Sequence, residues 1–393
     1  MILRQAVAAL SFPHAFGLTA RYAMKACPNG SILRLITETG MHIDASSGYE
    51  VERALKNGIE ATRISLSTQE LPENFAELIS LGISVNACSL RQLERIGAAF
   101  PGSKIGLRLN PGFGSGGTTK TNVGGPAASF GIWFEQLSTA DEIITRSNLT
   151  VFRIHTHIGS GSDPAVWLQV AETSMSYVER YPTVTNLNLG GGYKVARMPT
   201  EKETDLQVIG APVKSLFEAF ATRTGRKIHL EIEPGTFMMA NAGAILSTIQ
   251  DVTATGQLGY NFLKLDTGMT ELCRPSLYGA VHPITVISTH LDSTTAAKLT
   301  STYVAVGHCC ESGDMLTPAP GNPDTLDPRV LPMATIGDMV IIGGAGAYAS
   351  SMSTVNYNSF PQAPEVLLEK ETGVLRVIRK RQTLDQILQN ECI

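Results

Sequence analysis

The sequence predicts an α/β chain: a TIM-like (β/α)8 barrel followed by a mostly antiparallel β domain. Three observations carry this expectation. Eight short apolar runs before Gly243 alternate with stretches of helical periodicity, the pattern of a barrel built in roughly 250 residues. Each run ends in polar or glycine-rich residues. Beyond Gly243 the alternation stops, and strand-like runs follow one another across turns rich in Gly, Pro, Asn and Asp.

The expected barrel strands are Tyr22–Ala26, His42–Ala45, Ile64–Ser67, Ser84–Ala87, Ile105–Asn110, Phe152–His157, Asn186–Leu189 and Ile228–Ile232. Amphipathic helices are expected between most of them, for example over Gly48–Asn57, Glu73–Leu81 and Ser89–Phe100. A doubly wound open sheet is the rival architecture, and the count of eight favours the closed barrel. Closure also explains why the polar signals follow strands, because barrel active sites lie at strand carboxyl ends. The second domain is expected to contain strands Ala244–Ile249, Phe262–Leu265, Ile284–Ser288, Tyr303–Gly307, Asp338–Ile342, Glu365–Leu368 and Val374–Ile378, with a short helix over Thr383–Asn390. The expected domains are therefore residues 1–243, a barrel, and 244–393, a β-sandwich or barrel-like domain. Gly112–Gly125 reads as a glycine- and threonine-rich loop, a surface loop by default and a lid as the sharper alternative.

A formal net charge of −4 with no basic run makes nucleic acid and anionic membranes poor partners. No apolar stretch is long enough to span a bilayer, and the first residues lack a signal-peptide layout. The cysteines at 27, 88, 273, 309, 310 and 392 form no CxxC pair, which fits a reducing cytoplasm and argues against a zinc site. No metal is expected.

Lys25 is the first candidate for chemistry. It interrupts an apolar run, Arg21-Tyr22-Ala23-Met24-Lys25-Ala26, so its ammonium must leave water, snorkel out or react. A desolvated lysine condenses with an aldehyde; an ion-paired or snorkelling lysine is the bland reading. Glu233, in Glu233-Pro234-Gly235 after the eighth run, could hold a ring nitrogen protonated or simply cap a turn. Gly190-Gly191-Gly192, after the seventh run, leaves backbone amides open to a phosphate or forms an ordinary turn. His157 ends the sixth run with Ser160 three residues on: an imidazole to stack on a ring and a hydroxyl for phosphate, or a core histidine. His155 shares its strand face by the period of two. A lysine, a ring-nitrogen partner and a phosphate cradle are together what pyridoxal 5'-phosphate requires.

These motifs, in this order from about Tyr22 to Val366, resemble the fold-type III pyridoxal phosphate decarboxylases, whose architecture is alanine racemase-like. The resemblance implies Lys25 as the lysine that condenses with the cofactor, His157 as the stacking ring, Ser160 and Gly190, Gly191 and Gly192 at the phosphate, and Glu233 at the pyridine nitrogen. Asp44 and Arg108 match positions near the lysine and cofactor. Asp266-Thr267-Gly268-Met269 and Arg274-Pro275-Ser276-Leu277-Tyr278-Gly279-Ala280 also match, and imply that Arg274 and Tyr278 contact the substrate's carboxylate end. Cys310 and Glu311, in Cys310-Glu311-Ser312-Gly313-Asp314, match the segment that reaches a partner subunit's site; Tyr348 matches a phosphate and substrate contact. A buried apolar thiol at 310 and a surface ion pair at Arg274 are the plain alternatives.

The closest branch implies decarboxylation of meso-2,6-diaminopimelate to L-lysine by a cytoplasmic homodimer with composite sites. In that reading Lys25 and Cys310 are catalytic, Cys310 as the acid. Decarboxylation of ornithine, arginine or a carboxylated polyamine is the nearest alternative, and a non-catalytic cofactor-binding homologue is another. The chain departs from the family at Thr236, where arginine usually follows Glu-Pro-Gly, and at Ser129, where lysine usually precedes Phe-Gly-Ile. Little sequence precedes Lys25 for the β-domain strand through which relatives usually enter the barrel.

Overall fold

Eight parallel strands close on themselves in the computed structural model, which describes all residues except 116–121, 158, 160–163, 291–297 and 393. They are β1 (Leu18–Ala23), β2 (His42–Ala45), β3 (Ile64–Ser67), β4 (Ser84–Ala87), β5 (Lys104–Asn110), β6 (Thr150–His155), β7 (Asn186–Asn188) and β8 (His229–Ile232). Each pairs with the next, and β8 returns to β1. A two-residue strand, Ile132–Trp133, adds to β5 outside the ring.

The first strand lies earlier than the apolar run suggests. Backbone contacts explain it: the Ala23 N–H donates to Pro234 O at 3.2 Å, and the Cys27 N–H donates to Met24 O at 3.1 Å. Met24–Ala26 is therefore a single 3-10 turn at the carboxyl end of β1. Lys25 sits on this turn, not within the strand.

Between strands, short polar residues start the helices. Ser47, Ser89 and Asp205 accept hydrogen bonds from backbone amides of the first turns of Gly48–Lys56, Leu90–Ala99 and Leu206–Thr224. Each such cap satisfies an orphan donor and contributes about 1 kcal/mol. Alternation in the strands then divides the barrel. Ile43, Leu66, Val85, Leu107, Ile154, Leu187 and Leu230 are buried apolar residues. Their immediate neighbours on the opposite face, Ser67, Asn86, Arg153, His155 and Glu231, are buried and polar.

Contacts between non-adjacent strands show that the polar set faces the barrel axis. Ser67 on β3 meets His155 on β6 (Oγ to Nδ1, 3.3 Å), and Arg153 on β6 donates to Ser84 on β4 at 2.8 Å. Deepest is a buried triad, Arg21–Glu231–Arg153. Nε of each arginine lies within 3.0 Å of Glu231 Oε2, and Arg153 Nη2 donates to Oε1 at 3.0 Å. Burial pushes the Glu231 carboxyl up, but the two guanidiniums outweigh it and hold the group well below the usual carboxylate range.

The chain divides into two compact units, one of residues 1–195 with 202–238, the other of 196–201 with 239–393. The second contains one six-stranded sheet: β9 (Ile245–Ala254), β10 (Asn261–Leu265), β11 (Ile284–Ile287), β12 (Thr300–Val306), β13 (Arg329–Pro332) and β14 (Met339–Ile342). Their order is β11-β14-β9-β10-β12-β13, with only β10 and β12 parallel. Ile249, Leu263, Leu265, Val286, Tyr303 and Val340 form its core. β13 lies outside the strands expected from the sequence, and its Pro332 is tolerated because β13 is an edge, paired only with β12. Glu365–Leu368 and Leu375–Arg379 form a separate ribbon, and Leu384–Leu388 is helical behind a capping box of Thr383 and Gln386. No helix among the described residues is long and apolar enough to cross a membrane.

Candidate active site

The carboxyl ends of the barrel strands bring together Lys25, Asp44, Arg108, His157, Gly190, Gly191 and Glu233. Lys25 is exposed, although Ala20–Met24 and Ala26 around it are all buried. The single chain leaves this lysine open to solvent. Its charge acts on Asp44, Glu50 and His157. Asp44, next to last in β2, has 3% of its surface exposed; burial, reinforced by Glu233, pushes its carboxyl well above the ordinary range against the pull of Lys25 and Arg108.

Glu233 follows β8 and is buried. Asn188 Nδ2 donates to its Oε1 at 2.6 Å. His155 Nε2 lies 3.2 Å from its Oε2, an ion-pair distance, without a hydrogen bond to it. Burial raises the Glu233 carboxyl; His155, His157 and Arg108 outweigh this, so the group is held below the usual carboxylate range. Burial lowers His155 and Glu233 opposes that, leaving the imidazole below its usual value. The direction we assign the pair is an ionised Glu233, since the Asn188 amide and Arg108 charge both favour the carboxylate.

His157 lies just past β6. Its Nδ1 accepts the Gly159 N–H at 3.0 Å, which requires an unprotonated nitrogen there. Burial and then the charges of Arg108 and Lys25 drive this histidine well below its ordinary value, so the ring is neutral. Ser160, the expected phosphate hydroxyl, lies outside the described residues.

The glycine loop packs against both groups. Gly190 has φ +67°, and a Cβ on it would sit 2.8 Å from Cγ of His157. A Cβ on Gly191 would sit 2.3 Å from the Glu233 carbonyl oxygen, and Gly192 has φ +103°. Only glycine allows the backbone this approach. The Glu233 N–H donates to Gly190 O at 2.8 Å, fixing the loop to the turn. Arg108, on β5, places its guanidinium 5.1 Å from the Phe130 ring centroid. The Gly112–Gly125 loop is anchored by Asn110, whose Oδ1 accepts from the amides of Gly112 and Gly125 at 3.1 and 2.8 Å; its centre lies outside the described residues.

The second unit holds the other candidates. Arg274 begins the short helix Arg274–Tyr278 and stacks over Tyr278, with 5.5 Å from Cζ to the ring centroid. It makes no ion pair with a described residue, and its Nε is buried without a hydrogen-bond partner. The surface ion pair is thus the wrong reading for Arg274. Tyr348 acts electrostatically on the same arginine and holds a φ of +53°, a strained value for a non-glycine residue.

Cys310 and Glu311 are exposed, so the buried-thiol alternative also fails. The Cys310 N–H donates to Asn358 Oδ1 at 2.8 Å, and the Tyr357 hydroxyl donates to Glu311 Oε2 at 3.4 Å. Buried Asp314 sets this segment by accepting from the amides of Met269 and Cys309 at 2.7 and 2.8 Å, so the Asp266–Met269 motif and the cysteine motif are joined. An open cavity of about 560 Å³ beside them is lined by Phe262, Lys264, His308, Cys310 and Glu311 among others.

Three residues stand out that sequence reasoning did not select. His155 and Asn188 contact Glu233, and the signal was present in the polar alternations Arg153/His155, Asn186/Asn188 and Glu231/Glu233. Arg197 had no such signal. It belongs to the second unit, donates from Nε to Gly344 O at 3.0 Å, and leaves Nη2 buried and unpartnered. Burial, then repulsion from Arg274, lowers it to about 10.

Residues 3–240 match the family model for the pyridoxal-binding domain of pyridoxal-dependent decarboxylases. A diaminopimelate decarboxylase of Escherichia coli is 36% identical, over 100% of this chain and 92% of its own. That of Streptomyces coelicolor is 37% identical, over 94% of this chain and 84% of its own. A crystal structure of a diaminopimelate decarboxylase superposes with a TM-score of 0.91 at 36% identity, covering 99% of this chain and 91% of that one. The Helicobacter pylori diaminopimelate decarboxylase complexed with L-lysine gives 0.83 at 26% identity, covering 99% and 94%.

Proposed function

The chain belongs to the pyridoxal-dependent decarboxylases, and from that premise we propose that it decarboxylates meso-2,6-diaminopimelate to L-lysine and carbon dioxide, the last step of lysine biosynthesis. It is a carboxy-lyase whose cofactor is pyridoxal 5'-phosphate. The observation that carries the reading is the buried Glu233 carboxylate, held by Asn188 and His155 against the backbone of Gly190 and Gly191.

These residues fit the cofactor. The glycine loop offers amides where no Cβ can stand, and a buried carboxylate kept ionised suits a protonated ring nitrogen. Bound pyridoxal phosphate supplies an electron sink for the carbanion left when carbon dioxide departs. Lys25 would be the residue that holds the cofactor's aldehyde end. Glu233 keeps the ring nitrogen protonated. Neutral His157 would lie against the ring without adding a competing charge. Gly190, Gly191, Gly192 and Ser160 bind phosphate, and Asp44 and Arg108 flank the lysine.

Arg274 and Tyr278 take the substrate's distal carboxylate, with Arg197 as a second guanidinium. Two arginines that repel each other, each with a buried unpartnered nitrogen, suit an anion rather than the cationic ends of ornithine or arginine. Tyr348 contacts phosphate and substrate. Cys310 delivers a proton from Sγ to the carbon that lost carbon dioxide, beside Glu311. The exposure of both supports their insertion into the site of a second copy, hence a homodimer with composite sites in the cytoplasm.

A panel of substrates tests the choice. Carbon dioxide release from diaminopimelate, and little from ornithine, arginine or carboxylated polyamines, is expected. The reverse preference would replace the substrate but keep the family, and cofactor absorbance with no release from any of them would indicate a non-catalytic homologue.

A further inference from the structure

We infer that Asn188 is a positioning residue that locks the Glu233 carboxylate to the glycine loop through its two amide ends. The inference rests on the reading of Glu233 as the partner of the ring nitrogen.

Asn188 is the last residue of β7 and is fully buried. Its Nδ2 donates to Glu233 Oε1 at 2.6 Å, and its Oδ1 accepts the Gly190 N–H at 2.8 Å. Its main-chain oxygen accepts the Thr156 N–H at 2.9 Å, which fixes the residue beside the His155–His157 segment. A carboxamide alone among short side chains of this shape carries a donor and an acceptor side by side. Aspartate would keep the acceptor and lose the donor; leucine would lose both.

The neighbourhood shows why Glu233 depends on this amide. Nδ2 also lies 3.5 Å from Glu231 Oε2, so Asn188 stands between the two carboxylates of β8 and its turn. Glu231 is neutralised by Arg21 and Arg153. Glu233 has no arginine in ion-pair contact among the described residues; its close polar neighbours are Asn188 and His155. The same side chain that orients Glu233 also takes the N–H of Gly190 and so fixes the start of the phosphate loop. One residue thereby sets the relation between the group that serves the ring nitrogen and the group that serves the phosphate.

The test compares holoenzymes of Asn188→Leu, Asn188→Asp and Glu233→Gln with wild type. Three readouts are taken: the dissociation constant for pyridoxal phosphate, the pH titration of the cofactor's visible band, and kcat. Asn188→Leu is expected to weaken cofactor binding and lower kcat, each by about 10-fold or more, as loss of hydrogen bonds to a charged group and a buried amide predicts. Asn188→Asp places two carboxylates at hydrogen-bond distance, and one must take a proton. Its kcat and visible band should then gain a titration that neither wild type nor Asn188→Leu shows, with cofactor affinity closer to wild type than that of Asn188→Leu. The combination of loss in Asn188→Leu with partly recovered cofactor affinity in Asn188→Asp, which keeps the acceptor for Gly190, is what a merely space-filling residue would not give.

Wild-type pH behaviour in Asn188→Asp, or wild-type affinity and kcat in Asn188→Leu, would overturn the inference. If Glu233→Gln loses activity while both Asn188 variants do not, only the inference fails. If Glu233→Gln keeps the wild-type band and kcat, the reading of Glu233 itself fails. Should Asn188→Leu not fold, Asn188→Ser replaces it with the same expected direction in affinity and kcat.

Discussion

Nε2 of His155 stands 3.2 Å from Oε2 of Glu233, with both side chains buried at the carboxyl end of the barrel. The opposite ring nitrogen meets Ser67 Oγ at 3.3 Å, and Asn86 Nδ2 donates to that hydroxyl at 2.8 Å. A chain of polar groups thus runs from β4 through β3 and β6 to the carboxylate. Replacing His155 by Leu removes a neighbour that favours ionised Glu233. We expect kcat to fall about 5-fold, the effect of ~1 kcal/mol of lost polar contact to the carboxylate, with the cofactor's visible band shifted. Absorbance and steady-state kinetics on the purified variant check this.

The deep triad makes a stability prediction. Glu231→Gln would leave the Arg21 and Arg153 guanidiniums buried together without their counter-ion. Breaking a buried ion pair from one side typically costs about 3–5 kcal/mol. Denaturant unfolding should show a lower midpoint, and an unchanged midpoint would mean the triad contributes nothing.

Buried and half-buried neutral histidines set the response to acid. Burial is the leading cause for each of His42, held near 4, His282, held near 3, and His155, His157 and His229, all lowered. In the unfolded chain these groups protonate below about pH 6.5. The unfolded state then binds more protons, so stability falls as pH drops from about 6.5 toward the folded values. Asp44 and Glu50, raised in the fold, act in the opposite sense but are two groups against five. Losses from the lowered Glu231 and Glu233 begin only below their unfolded range near 4.5. Melting temperature should be flat above pH 7 and decline between 6.5 and 4. His282→Gln should flatten that decline.

Arg197→Met should raise KM for diaminopimelate by about 10-fold, from loss of one charge-assisted contact to carboxylate. A slow side reaction on ornithine, which has no distal carboxylate, should not weaken. Equal loss on both substrates would assign Arg197 a structural role.

Much of this was legible in the strands. His42–Ala45, Ile64–Ser67 and Ser84–Ala87 have the bounds their apolar patterns give, because each is short and framed by a helix cap or a turn. β1 was misplaced because the Ala23–Pro234 backbone contact, remote in sequence, decides where the strand stops. Lys25, Glu233 and the triple glycine were visible because their residue types are costly without a purpose. His155 and Asn188 were visible only as alternation, which cannot tell a structural interior polar residue from one that touches the site. Arg197 gave no signal at all, since its relation to Arg274 is purely tertiary.

The central claim is tested most directly by carbon dioxide release from meso-2,6-diaminopimelate by the purified protein saturated with pyridoxal phosphate, beside Lys25→Ala. The account predicts stoichiometric L-lysine from the wild type and no turnover from Lys25→Ala. No lysine from a wild type that shows the cofactor's visible band, or undiminished turnover by Lys25→Ala, would contradict it.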